Sequence, residues 1–168
     1  MMKKRAGAAM KIVEWKNINK ITPLLLNKKS VLVGGCFDIF HFGHLSFLKR
    51  AKRTGDFLIV ALESDEFIRK NKQRAPIHSQ RERAETLAAL EIVDLIIMLP
   101  YFKSDKDYFT LVEKIRPKTI AITSGDERKI NKKQQSLLVG AKLKIVSPRL
   151  KKFASSKIIK QYASFSSD

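Results

Sequence analysis

Apolar residues in this chain gather in five short runs, "VLVGG" (31–35), "FLIVAL" (57–62), "VDLIIML" (93–99), "TIAIT" (119–123) and "KLKIVSP" (142–148). Each reads as a strand; "FLIVAL", a continuous apolar run, has the pattern of one buried on both faces, and "VDLIIML" reads as buried as well. Between them the apolar positions recur at helical spacing: "HLSFLKRAKRTG" (44–55), the start of "SDEFIRKNKQRAPI" (64–77), "SQRERAETLAALE" (79–91), "SDKDYFTLVEKIRP" (104–117) and "ERKINKKQQSLLVG" (127–140). Ser79 and Glu82 fit a capping box, the 104–117 segment is acid-led and base-ended, and Gly140 stops the 127–140 segment. "SSKIIKQYA" (155–163) reads as a closing helix, and "INKITPLLLNK" (18–28) as one short helix ahead of the first strand. Five alternations with short connections predict a Rossmann-like α/β fold. Its core is an open, parallel, five-stranded sheet with right-handed crossovers and helices on both faces. The expected layout is one domain: an N-terminal extension over 1–29 and an α/β core over 30–168.

Composition narrows the partners. The chain has 168 residues, 44% apolar and 30% charged, enough to bury a core without staples. No apolar run reaches membrane-spanning length, and no secretory leader pattern follows the basic start. One cysteine, Cys36, allows no internal disulfide and suits a reducing cytoplasm. The formal charge of +18 attracts polyanions. Nucleic acid, nucleotide phosphates and anionic membranes are all candidate partners, but the cations are spread along the chain and no aromatic stacking motif accompanies them, which argues against specific nucleic-acid binding. A compositional bias of the source proteome explains the charge equally well.

The joint between the first strand and its helix, "VGGCFDIFHFGHLSFLKRA" (33–51), carries the chemistry. Ligands of open parallel sheets bind beyond the strands' carboxyl ends. There Gly34 and Gly35 let phosphates approach the backbone, and a helix start offers free N–H groups. His41 and His44, three apart, share one face of the first turn, where imidazole N–H groups would stabilise charge developing on phosphoryl oxygens. Three plainer readings stand beside this one: the histidines cap and pack a helix start; Cys36, His41 and His44 bind a metal; or Gly34 and Gly35 serve strand–helix packing alone. The metal reading lacks a fourth ligand at any standard spacing.

"GGCFDIFHFGH" resembles the G-[TC]-F-D-x-x-H-x-G-H signature of the cytidylyltransferase-like nucleotidyltransferases, relatives of the class I aminoacyl-tRNA synthetases. "FLKRAKRTGDFLIVALESDEF" and "APIHSQRERAETLAALEIVDLIIML" are similar to the blocks that follow in that family. The heptose-phosphate adenylyltransferase branch looks nearest, glycerol-phosphate cytidylyltransferase next. The resemblance implies a HUP-type fold and an Mg²⁺-dependent reaction in which a small phosphorylated acceptor attacks the α-phosphate of ATP or CTP and releases pyrophosphate. The magnesium would be bound through the triphosphate. By the same match His41 and His44 stabilise the transition state. Gly35, Cys36, Phe37, Asp38 and Gly43 form the nucleotide loop, and Arg83 faces the nucleotide.

"RLKKFASSK" (149–157) resembles the family's C-terminal signature, with Ala154 where a serine is usual. Arg149 would bridge triphosphate oxygens, and Ser155 and Ser156 would hold their outer end. "RKNKQRAPI" (69–77) falls where the family has a lysine-bearing loop, so Lys70, Lys72 and Arg74 are candidates, with Lys72 as the catalytic choice. Asp126 either meets base, ribose or acceptor, or caps the following helix. The leading expectation is adenylyl transfer to a sugar phosphate of the heptose 1-phosphate type. Alternatives are cytidylyl transfer to glycerol 3-phosphate or an amino-alcohol phosphate, adenylyl transfer to flavin mononucleotide (FMN), and a non-catalytic nucleotide- or RNA-binding module. The resemblance also implies a homodimer, for which the residues themselves give no argument.

Overall fold

The computed structural model describes residues 11–148, 157–159 and 161. Its strands are β1 (Ile12–Glu14), β2 (Ser30–Gly35), β3 (Phe57–Leu62), β4 (Leu95–Met98), β5 (Thr119–Thr123) and β6 (Lys142–Ser147). Its helices are α1 (Ile18–Ile21), α2 (Phe42–Lys52), α3 (Asp65–Lys72), α4 (Gln80–Ala88), α5 (Asp105–Ile115) and α6 (Lys129–Val139). All six strands run parallel in one sheet ordered β1-β4-β3-β2-β5-β6.

The sheet thus has one strand more than expected. β1 pairs Ile12, Val13 and Glu14 with Ile96, Ile97 and Met98 at the outer edge of β4. Three residues are too few to display a period, so this strand owes its existence to the edge it covers. The helix expected over 18–28 is likewise broken. α1 gives way to a 3₁₀ turn at Thr22–Leu25 containing Pro23, whose missing N–H cannot extend an α-helical ladder.

Alternation along each strand splits the core into two layers. Leu32, Ile59, Ala61, Leu95, Ile97, Ile120 and Ile122 face one side, where Leu111, Val112 and Ile115 of α5 and Ile18 and Ile21 of α1 cover them. Val31, Val33, Leu58, Val60, Leu62, Ile96 and Ala121 face the other, against Leu48 and Ala51 of α2 and Ala84, Leu87 and Ala88 of α4. The strand order reverses at β2. There the β2–β3 ladder runs to Gly35↔Leu62, whereas β2 and β5 stay in register only at Val31↔Thr119 and Leu32↔Ile120. Beyond Leu32 the two strands part, and the split opens at their carboxyl ends.

Candidate active site

That split is a cleft of about 690 Å³, well inside the roughly 300–1,000 Å³ range of small-molecule sites. One wall is the loop after β2 and the start of α2; the opposite wall is the loop after β5 and the start of α6.

The first wall is built tightly. A Cβ on Gly35 would lie 2.8 Å from Cε2 of Phe37, so the glycine leaves room for that ring. Phe37 is buried and left-handed (φ 48°), a conformation that costs about 1–3 kcal/mol outside glycine and clusters at functional loops. Asp38 is buried beneath the loop. Its Oδ1 accepts from the N–H groups of Ile77 (2.9 Å) and His78 (3.0 Å), and Arg74 pairs with Oδ2. Burial alone would raise the Asp38 pKa, but the His78 N–H, the Arg74 guanidinium and the Ile77 N–H together hold it below the ordinary carboxylate range. Asp38 therefore fastens the 73–79 connection to the first loop.

Arg83, expected to face the nucleotide, is placed differently. Its side chain is 1% exposed and does not line the cleft. Nε donates to the His78 carbonyl (3.1 Å), Nη1 donates to the Cys36 carbonyl, and Nη2 pairs with Asp65 Oδ1 (2.7 Å). The guanidinium braces the wall from behind, because a buried charge must satisfy its donors internally.

The histidines stand on the cleft side. His41 is the N-cap of α2, and its Nδ1 accepts from the His44 N–H (3.3 Å), so the neutral ring carries its proton on Nε2. The two imidazoles stack at 3.7 Å between centroids, 16° from parallel, with Phe37 and Phe40 beside His44 at 5.0 and 5.7 Å. Burial, then the neighbouring His41, pushes the His44 pKa down to about 3, although a hydrogen bond with the Ile39 backbone opposes the shift. Burial also lowers the His41 pKa. Both rings are thus neutral near pH 7, as stacking at this distance requires. Cys36 lines the cleft with its thiol pushed up to about 11, chiefly by burial. The thiol is therefore protonated and unreactive.

Among the three basic candidates of the 69–77 segment, Lys70 pairs with Glu66 and lies over the Tyr101 ring, and Arg74 is tied to Asp38. Lys72 closes α3, is exposed, lines the cleft, and forms no hydrogen bond or ion pair with a described residue. Gly43 lines the cleft too. Asp126 lines the far wall, but its carboxylate accepts from the Arg128 N–H (2.9 Å) and pairs with Lys132 (2.7 Å). Of its two expected roles, the geometry supplies the tie to the start of α6. Arg149, Ser155 and Ser156 lie outside the described residues; Pro148 and Ile159, which flank that segment, both line the cleft.

Several cleft residues went unforeseen, Glu63, Tyr108 and Arg128 among them. Glu63, 8% exposed, follows the last residue of β3, and its Oε1 accepts from the Tyr108 hydroxyl (2.9 Å). The Arg128 guanidinium sits 5.0 Å from the Tyr108 ring and 5.5 Å from that of Phe67. An acid placed directly behind the apolar run "FLIVAL" was the available signal. Two buried side-chain polar atoms lack a partner among the described residues: His44 Nδ1 and Glu63 Oε2. Both residues line this one cleft. Buried polar atoms are rarely left unpaired; ordered water, an ion or a ligand completes them.

The sequence model of the cytidylyltransferase-like family matches residues 32–166, from β2 through the C-terminal segment. The chain belongs to the cytidylyltransferase-like family. As a member of this nucleotidyltransferase family it is 38% identical to the FAD synthase of Pyrococcus abyssi over 138 residues, which cover 78% of this chain and 90% of that protein. It is also 40% identical to the bifunctional protein HldE of Campylobacter fetus over 96 residues, 56% of this chain but 20% of that longer protein. A solved lipopolysaccharide core biosynthesis protein from Thermoplasma volcanium superposes on 73% of the chain with a TM-score of 0.60 and 28% identity, covering 97% of its own length. A pantoate–β-alanine ligase from Francisella tularensis (TM-score 0.61, 18% identity, 81% of this chain and 66% of its own) shares the fold.

Proposed function

We propose that this family member transfers the adenylyl group of ATP to a phosphorylated acceptor, and that FMN is the acceptor its cleft suits best. The carrying observation is the cleft's division into two chemistries. The stacked histidines, the α2 N-terminus and Lys72 gather on one side. The inner wall is apolar and aromatic, lined by Leu32, Phe67, Leu99, Leu111, Val112 and Ile120. The first set suits phosphates; the second suits a flat ring system. The FAD synthase match, spanning most of both chains, supports the same acceptor.

In the reaction, an acceptor phosphate oxygen attacks the α-phosphorus, a new P–O bond forms, and the bond to the β-phosphate oxygen breaks. Pyrophosphate leaves with the electron pair. No protein nucleophile is needed. The chain contributes position and charge stabilisation, the usual means of phosphoryl transfer. N–H groups at the start of α2 and the imidazoles of His41 and His44 act at the α-phosphate, while Cys36 and Phe37 offer backbone N–H groups. Lys72 reaches the triphosphate from α3, and Arg149, Ser155 and Ser156 hold its outer end. Among the described residues no three His, Cys, Asp or Glu side chains converge on a metal position. Hard Mg²⁺ would ride on the phosphate oxygens of the nucleotide, where it would neutralise their charge. A single cysteine, Cys36, fits a reducing, cytoplasmic setting.

A heptose-type sugar phosphate is the second reading, favoured by the identity with HldE. One assay separates the readings. Pyrophosphate release is followed with ATP or CTP, Mg²⁺, and FMN, heptose 1-phosphate or glycerol 3-phosphate. The account expects turnover with ATP and FMN. No turnover with any acceptor, together with tight, salt-sensitive RNA binding, would instead favour a non-catalytic module.

A further inference from the structure

Glu63 holds a place the reaction above does not use. Its backbone N–H donates to the Gly35 carbonyl (3.1 Å), which sets it beside the first loop at the floor of the cleft. The side chain is more than nine-tenths buried and lines the cavity. Tyr108 occupies Oε1, and Oε2 has no hydrogen-bond partner among the described residues. Burying a carboxyl costs several kcal/mol unless its oxygens are bonded. Arg128, Lys132 and Arg83 supply field but no direct bond to that oxygen. Phe67 and Leu99, on the same inner wall, can neither donate nor accept.

We propose that Glu63 reads the acceptor: Oε2 accepts a hydrogen bond from a hydroxyl or ring N–H on the acceptor's uncharged part. This rests on the flavin reading, since FMN offers both donors, the ribityl hydroxyls and the ring imide N–H. The ionised carboxylate refuses phosphate, which carries only acceptors when ionised, so the acceptor enters with its phosphate toward the histidines. Glu63 thereby orients the attacking group as well as selecting it.

Flavin binding to the full chain is measured by fluorescence quenching, with ATP affinity measured separately. Glu63→Met removes both oxygens at similar volume. It is expected to weaken FMN and riboflavin binding about tenfold or more, the worth of a hydrogen bond to a charged group, while ATP affinity changes less than about twofold. Glu63→Gln, which keeps one acceptor oxygen, is expected to restore most of the loss. Lumiflavin, which lacks the ribityl chain, and its N3-methyl derivative identify the donor. One of these deletions must reproduce the Met defect on wild-type protein, a readout that does not depend on any variant folding. Unchanged flavin affinity in Glu63→Met, equal losses for ATP and flavin, or a wild type indifferent to both deletions overturns the inference. Wild type that binds no flavin overturns it together with the flavin reading. Wild type that binds flavin with this dependence but transfers no adenylyl group supports Glu63 as the reader and removes only the catalytic reading.

Discussion

Replacing Arg83 by methionine tests whether this arginine braces the wall or contacts the ligand. The substitution keeps most of the aliphatic volume and deletes the three bonds to the Cys36 carbonyl, the His78 carbonyl and Asp65. Each bond to a charged donor is worth about 1.5–3 kcal/mol when buried. Asp65 is 27% exposed and can recover water, so its share is discounted. The two stranded carbonyls dominate and give a loss of about 3–5 kcal/mol, a large part of the roughly 5–15 kcal/mol that holds a domain together. At about 2–4 °C per kcal/mol for a chain of this size, Tm should fall by about 6–20 °C. Urea titration followed by circular dichroism measures the loss, and ATP binding at low temperature measures the site. We expect a large stability loss with ATP affinity within about fivefold of wild type, since other ties still hold the first loop. A variant of wild-type Tm whose ATP affinity falls more than tenfold would refute the bracing role and restore Arg83 to the nucleotide.

Three further outcomes follow from the geometry. A Cβ on Gly34 would meet only the Ala61 carbonyl, at 3.8 Å, and Gly34 lines the cleft; Gly34→Val should keep Tm within about 4 °C while cutting kcat/KM about a hundredfold by filling phosphate space. Gly55 is the reverse case, because its Cβ would lie 2.0 Å from the Lys29 carbonyl oxygen; Gly55→Ala should lower the unfolding free energy read from a urea titration by about 2 kcal/mol or more and leave KM unchanged once folded. His44 has its pKa lowered from an ordinary 6.5 to about 3. The stability its neutral form contributes is complete above pH 6.5 and lost as pH falls toward 3, because the unfolded chain binds the proton first, by at most about 1.4 kcal/mol per pH unit. Urea midpoints of His44→Gln should accordingly depend less on pH between 7 and 5 than those of wild type; parallel curves would contradict the assignment.

What was legible in the sequence follows from the range of the interactions. The five longer strands and the capped helix at Ser79 are local or period-driven features, and the structure keeps them with ends shifted by a residue or a few, as where α4 stops at Ala88. β1 was invisible because three residues carry no period and its reason lies at β4, more than eighty positions on. The histidine pair was visible as a motif, since both residues and their glycine frame lie in one continuous stretch of chain. Arg83 was misplaced and Glu63 missed for a common reason. A side chain's direction at the end of a strand or inside a helix is set by which carbonyls and hydroxyls the fold brings near it, here Cys36, His78 and Tyr108. Lys72 was the catalytic choice among three candidates, and the structure leaves it at the cleft while Glu66 and Asp38 engage the other two.

Which phosphorus of the nucleotide reacts is the most direct test of the central claim. Wild type and His44→Ala are incubated with FMN, Mg²⁺ and ATP labelled at either the α- or the γ-phosphate. The account predicts that α-label enters the flavin product while γ-label leaves only as pyrophosphate, and that His44→Ala slows the transfer about a hundredfold or more. Label passing from the γ-phosphate to the acceptor, or α-label transfer undiminished in His44→Ala, would contradict it.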